Sequence, residues 1–197
     1  MKSLYLAFLF FAIQIQAQQI LSVEKQAEVI DEILAERLNN LLPDLMDKAD
    51  TDMWILISRE YNEDPVLKTM LPATWLNARR RTILVFYRGK SKNNIEKLAV
   101  ARYNFGDNII SAWDKAKQPN QWQRLVEIIE ERQPQKIGLN FSEHFNIADG
   151  LDKTDFDEFM EVLPSKYRSK IISAEQLAVA WIETRTKREM VIYKQLL

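Results

Sequence analysis

The chain has 197 residues, 47% hydrophobic and 28% charged, with 27 basic and 28 acidic side chains and a net charge of −1. This is the composition of a globular chain of one ordinary domain, and it excludes both wholesale disorder and a global electrostatic pull toward nucleic acid or an anionic membrane. Cysteine is absent, which removes disulfides, thiolate catalysis and Cys-based metal sites together.

The first residues read as an export signal. Lys2 supplies a positive start, Leu4 to Ile15 an apolar core, and Ile15-Gln16-Ala17 a cleavage site before Gln18. That apolar run is shorter than the roughly 20 residues a spanning helix needs. The expectation is therefore a signal peptide over residues 1–17, export to a bacterial periplasm or cell exterior, and no membrane attachment after cleavage.

From Val23 to Lys48 the apolar residues Val23, Ala27, Ile30, Leu34, Leu38, Leu41 and Leu45 recur in steps of three and four. They predict one stripe of a long helix covering a sheet face. Ser22 is its N-cap, and Pro43 should kink or divide it. Met53 to Ser58 and Thr82 to Tyr87 are short apolar runs rich in β-branched and aromatic residues, without clean polar alternation. They predict strands covered on both faces of an α/β sheet. Between them, Pro65 to Leu76 predicts a helical turn or two. Leu98 to Tyr103 predicts a third strand in an antiparallel pair, with Leu98 and Val100 facing one way and Ala99, Ala101 and Tyr103 the other.

Pro119 to Gln133 predicts a helix with Trp122, Leu125, Val126 and Ile129 inward. Lys136 to Asn140 predicts a brief strand, Asp155 to Leu163 a short helix, Lys170 to Ile172 an edge strand, and Ala174 to Ile182 another helix. Thr186-Lys187-Arg188-Glu189 is a capping box, in which the N-cap threonine and the N3 glutamate each satisfy an orphan amide. The helix it opens runs to Leu197, so further chain is expected beyond.

Catalytic signatures are few. His144 is the one histidine, which makes H-E-x-x-H impossible, and the four glycines write neither G-x-G-x-x-G nor a P-loop. No G-x-S-x-G elbow occurs. Carboxylates gather at Glu60, Glu63 and Asp64, and again at Asp149, Asp152, Asp155, Asp157 and Glu158. A metal-free hydrolase built on Glu60 and Asp64 is one reading of the first group, and solvated loop acids are the other. Arg79-Arg80-Arg81 can grip a carboxylate or phosphate, or can divide between one internal ion pair and water. The five tryptophans sit in apolar patterns, with Trp75 set apart between prolines and the arginines.

Several strings together resemble one family. They are Asp52 to Leu67, Leu71-Pro72-Ala73-Thr74-Trp75, Arg79 to Phe86, Ile137 to Phe145, Ala148-Asp149-Gly150-Leu151, Tyr167-Arg168-Ser169 and Ser173-Ala174-Glu175. They are similar to exported bacterial members of the aminopeptidase P/prolidase/creatinase metallopeptidases. The resemblance implies the family's N-terminal domain over residues 18–183, a mixed, largely buried β-sheet with helices on both faces. Residues 184–197 then begin the helix that links it to the catalytic half. That pita-bread half, with its two divalent ions (manganese, cobalt or zinc) and the Asp, His and Glu set that holds them, is absent from this sequence. The family's catalytic and metal-binding residues therefore map onto no position here, and no cofactor is expected in this chain.

The resemblance further implies a hydrolase family acting on Xaa-Pro bonds, with this part inactive alone and serving oligomerisation and active-site closure. The expected partners are a catalytic domain in cis and further copies of the chain, with peptide substrate touched at most indirectly. Arg59, Glu60, Tyr61, Asn62, Asp64, Trp75 and Arg79 are the candidates for a substrate lip or an interface. Trp75 is carried over from an aromatic that precedes a strand in some members, although their Tyr-Leu-Thr-Gly pattern is not found here. The alternative is a stand-alone peptide- or protein-binding module of the same fold.

Overall fold

A computed structural model describes residues 20–89 and 94–193. The expected signal peptide and the last four positions of the expected terminal helix lie outside the described residues. Helix α1 (Val23–Glu36) opens on Ser22, whose Oγ accepts the Lys25 N–H at 3.4 Å. A π-turn (Arg37–Leu41) joins it to α2 (Leu42–Lys48), which carries Pro43 in its first turn. Proline has no N–H to donate back into the helix, and the widened turn divides the expected single helix beside it. The apolar stripe is divided too. Leu34, Leu38, Leu42, Leu45 and Met46 are buried, whereas Val23 is 82% and Ile30 52% exposed. The first half of α1 thus overhangs the sheet instead of covering it.

After α2 come β1 (Met53–Arg59), the one-turn α3 (Pro65–Lys68), β2 (Arg81–Tyr87), β3 (Glu96–Ala99) and β4 (Ile110–Ser111). Then follow α4 (Gln121–Arg132), β5 (Ile137–Leu139), a 3-10 turn (Asn146–Ala148), α5 (Lys153–Val162), α6 (Ser165–Arg168), β6 (Ile171–Ser173), α7 (Glu175–Glu183) and α8 (Lys187–Tyr193). The six strands form one sheet in the order β4-β3-β2-β1-β5-β6. β1 pairs antiparallel with β2 and parallel with β5, β3 antiparallel with β2, and β4 and β6 parallel with β3 and β5.

The fold class expected from the sequence is the one observed: a mixed α/β sheet with helices on both faces. Alternate residues of β1 and β2 feed two separate cores, as a period of two requires. Trp54, Leu56, Leu84 and Phe86 pack under α1, α2, α3 and α7, while Met53, Ile55, Ile57, Ile83 and Val85 pack under α4, α5 and α6. Each fully buried large side chain of this kind contributes roughly 1.5–3 kcal/mol relative to exposure. Trp122 of α4 stacks on Phe159 of α5 at 5.7 Å within the second core.

One strand is corrected. β3 starts at Glu96 and ends at Ala99, not at Tyr103. Val100 still donates its N–H to Ile83 O at 2.8 Å, and beyond it the chain leaves the ladder. The expected facing survives, since Leu98 and Val100 join the second core and Ala99, Ala101 and Tyr103 the first.

Candidate functional site

The strand directions bring six connections to one end of the sheet. β1, β3, β4, β5 and β6 end there and β2 begins there. Segments 59–64, 79–81, 101–103, 112–113, 140–152 and 174 onward therefore share an edge. Crevices at the carboxyl ends of strands are where open sheets bind ligands.

At the exit of β1 the chain makes a tight turn, in which Asn62 N–H donates to Arg59 O at 3.1 Å. Tyr61 sits in that turn at φ +70° with its side chain 89% exposed. The turn is pinned to the start of β2. Glu60 N–H donates to Arg80 O at 2.6 Å, and Glu60 Oε2 accepts Arg80 N–H at 3.1 Å. Arg80 also has a positive φ, +50°. A left-handed backbone at a non-glycine residue costs roughly 1–2 kcal/mol, so two adjacent turns each hold such a residue against its preference.

Arg59 and Arg81 point into the second layer and share one carboxylate. Arg59 grips Asp155 bidentately, at 2.9 Å from Nε and 2.7 Å from Nη2, and Arg81 Nη1 reaches the same group at 3.0 Å. Asp155 is fully buried at the start of α5. Arg81 also donates to Glu158 at 2.6 Å and lies 4.3 Å over the Trp122 ring. Trp122 Nε1 donates to Glu158 at 2.9 Å. The Trp122 N–H and the Arg81 guanidinium hold the Glu158 carboxyl below its ordinary range. It is kept ionised, and an ionised carboxylate cannot serve as a general acid. An open depression of about 350 Å³ lies over this network, lined by Arg59, Glu60, Arg80, Arg81 and Glu158.

Asp64 is inside the protein. Its Oδ1 accepts the Val66 and Leu67 N–H groups, both at 2.8 Å, as the N-cap of α3. Its Oδ2 accepts Asn140 Nδ2–H at 2.8 Å, and Asn140 Oδ1 in turn accepts the indole N–H of Trp54 at 2.8 Å. Burial raises the Asp64 pKa, against the hydrogen bonds from Leu67, Asn140 and Val66 that lower it. This chain of bonds ties the loop after β1 to the residue after β5 and to the Trp54 ring of β1.

Trp75 is half-buried, edge-to-face with Tyr103 at 5.2 Å and 5.0 Å from Phe105. The Arg79 guanidinium lies 4.8 Å over Trp75 and 5.6 Å from the Tyr103 ring. A second depression, of about 490 Å³, opens beside them between Arg79, Arg80, Arg102, Tyr103, Trp113 and Gln121. His144 is exposed at the opposite side of the same edge, beside Ser142, whose hydroxyl donates to Glu175 at 2.5 Å. Among the described residues no three His, Asp or Glu side chains are disposed to hold a metal ion.

Of the candidate residues, Arg59, Glu60, Tyr61, Asn62 and Arg79 come together around the β1 and β2 turns, Trp75 braces Arg79 from behind, and Asp64 is enclosed. From the sequence, Asp155 and Glu158 stand out only as members of an acidic cluster and Trp113 only as a core tryptophan, and Arg102 carries no signal. Asp155 carried a usable signal. It precedes Phe159 by four residues and so falls on the inward stripe of α5, where a carboxylate needs a cationic partner. Arg37 carried a similar one, beside Leu34 and Leu38 on a buried stripe.

A scan against protein-family models gives no match, and a search of the curated proteins gives none either. Among solved structures, an Xaa-Pro dipeptidase from Bacillus anthracis is similar with a TM-score of 0.48 and 16% sequence identity, over 82% of this chain and 39% of that one. This chain therefore spans about two fifths of the length of that dipeptidase.

Proposed function

We propose that this chain is the non-catalytic N-terminal domain of an exported, Xaa-Pro aminopeptidase-like metallopeptidase, serving oligomerisation and active-site closure. The observation that carries this reading is the lip at the β1 exit. A turn holds Tyr61 out into solvent at 89% exposure, is pinned by Glu60 to the β2 turn, and is anchored beneath by Arg59 on buried Asp155. An aromatic displayed on a pinned turn at this edge of the sheet is suited to closing over a neighbouring surface rather than to bond cleavage. The apolar residues of α8 support the same reading. Met190 is 45%, Val191 64% and Tyr193 47% exposed, a state suited to a helix covered by further polypeptide.

The described side chains do not fit a two-metal centre, so no catalytic step is assigned to them. The purified chain, supplied with manganese or cobalt, is expected not to cleave an Xaa-Pro peptide. Sedimentation is expected to find self-association. Chelator-sensitive cleavage by this chain alone would overturn the proposal.

A stand-alone binding module draws on a different observation, the fastening of α8 to the body. Arg37 Nη1 donates to Thr184 O at 2.8 Å and pairs with Glu189 at 2.8 Å. A monomer whose α8 resists trypsin would favour that second reading.

A further inference from the structure

We propose that the depression between Arg79, Arg80, Arg102, Tyr103 and Trp113 binds a small multivalent oxyanion, a compound carrying several phosphate or carboxylate groups. The site does not rest on the domain's proposed place in a peptidase, because the groups that would touch the anion lie before β2 and after β3 and β4.

Charge is the first reason. Among the described residues, Arg79, Arg80 and Arg102 form no ion pair, whereas Arg59, Arg81, Arg88, Arg124 and Arg132 are each matched to carboxylates. The fourth arginine lining the depression, Arg81, is neutralised from within by Asp155 and Glu158 and adds no net charge. Of the neighbouring acids, Glu60 keeps its charge beside Tyr103 but pairs with none of the three guanidinium groups. Glu60 accepts the Arg80 backbone N–H, and Asp114 pairs with Lys117 at 3.4 Å. Three guanidinium groups against the single nearby Glu60 carboxylate leave the hollow net positive, and planar guanidinium forks match phosphate and carboxylate oxygens bidentately.

Preorganisation is the second reason. Arg79 is laid across the Trp75 and Tyr103 rings, so little side-chain freedom remains to be lost on binding. Arg80 is held at φ +50° by two hydrogen bonds with Glu60, a backbone strain of the kind kept at ligand sites. Tyr103 and Trp113 wall the hollow with half-exposed rings. Its volume of about 490 Å³ lies in the range of small-molecule sites, roughly 300–1,000 Å³.

The test is isothermal titration calorimetry of the whole chain in low salt, with sodium tripolyphosphate and separately with citrate. At least one is expected to bind saturably with one site, and the two arms distinguish phosphate from carboxylate chemistry. Replacing Arg80→Gln together with Arg102→Gln should weaken binding by at least about tenfold, which is a 1.4 kcal/mol change. Both side chains are exposed and make no side-chain hydrogen bond among the described residues, and an unchanged far-UV circular dichroism spectrum checks the fold. Arg102→Gln alone should weaken binding in the same direction. A control that removes equal charge elsewhere, Lys153→Gln with Lys187→Gln, should leave affinity within about twofold. The proposal is overturned if neither anion binds, or if the control weakens binding as much as the arginine pair.

Discussion

Asp64 and Gly150 are two halves of one residue-scale constraint. A Cβ at Gly150 would stand 2.8 Å from the Asp64 Cα, with the Asp64 carboxylate closer still. Backbone cannot yield as a flexible side-chain tip can. Gly150→Ala is therefore expected to destabilise the fold by about 1–3 kcal/mol, the usual cost of overpacking, read as a lower denaturant midpoint at unchanged slope. Asp64 also leaves a signature in pH. Burial raises its pKa, so the folded state binds this proton more tightly than the unfolded chain does. The associated stability is full at acid pH and is lost as pH rises through the ordinary carboxylate range toward the folded value. Asp64→Asn cannot ionise. The stability of the native chain relative to this variant should therefore fall as pH rises across that window, measured by urea titrations at a series of pH values. A flat difference would mean that the Asp64 pKa is not raised by folding.

At the scale of elements, α8 is the least supported helix described, with no buried residue of its own. Its capping box is formed as the sequence predicts. Glu189 accepts the Thr186 N–H at 2.7 Å and Thr186 Oγ1 accepts the Glu189 N–H at 3.2 Å. What ties it down comes from far along the chain. Arg37, in the π-turn, stacks on Trp181 at 4.4 Å, donates to the Trp181 carbonyl and pairs with Glu189. Arg37→Met keeps much of the packing and removes the charge. It is expected to release α8 and to increase trypsin cleavage at Lys187 and Arg188 several-fold, with the core melting separately. The π-turn belongs to the same device, since the widened turn that accommodates Pro43 is the one that carries Arg37.

For the whole molecule, the two layers are joined at the functional edge by Asp155. One buried carboxylate on α5 receives Arg59 from β1 and Arg81 from β2, so the helix layer is registered on the sheet by charge as well as by packing. Asp155→Ala would leave both guanidinium groups facing each other without it. Removing one partner of a buried pair costs about 3–5 kcal/mol, and because both arginines are partly exposed water should reduce this to about 2–3 kcal/mol. Urea unfolding of Asp155→Ala measures it. A loss below about 0.5 kcal/mol, the scale of an ordinary surface substitution, would show that packing alone sets the register. No helix among the described residues is long and apolar enough to cross a membrane.

The sequence by itself determined the fold class and the longer elements, because these rest on local periodicity and on short-range chemistry; β4, α6 and the end of β3 were too short or too irregular to carry such a period. β1 and β2 were legible as doubly covered strands, α4 by its inward stripe, and the start of α8 by its cap. Only tertiary structure decided what the polar residues do. Asp64 and Tyr61 are three apart in one acidic loop, yet one is enclosed beneath Gly150 and the other stands in solvent. Arg79, Arg80 and Arg81 are consecutive, yet only Arg81 meets a buried carboxylate, seventy-four residues away. A charged side chain takes its role from the partner it finds in space. Such partners are fixed by strand order and helix placement, which no local pattern encodes.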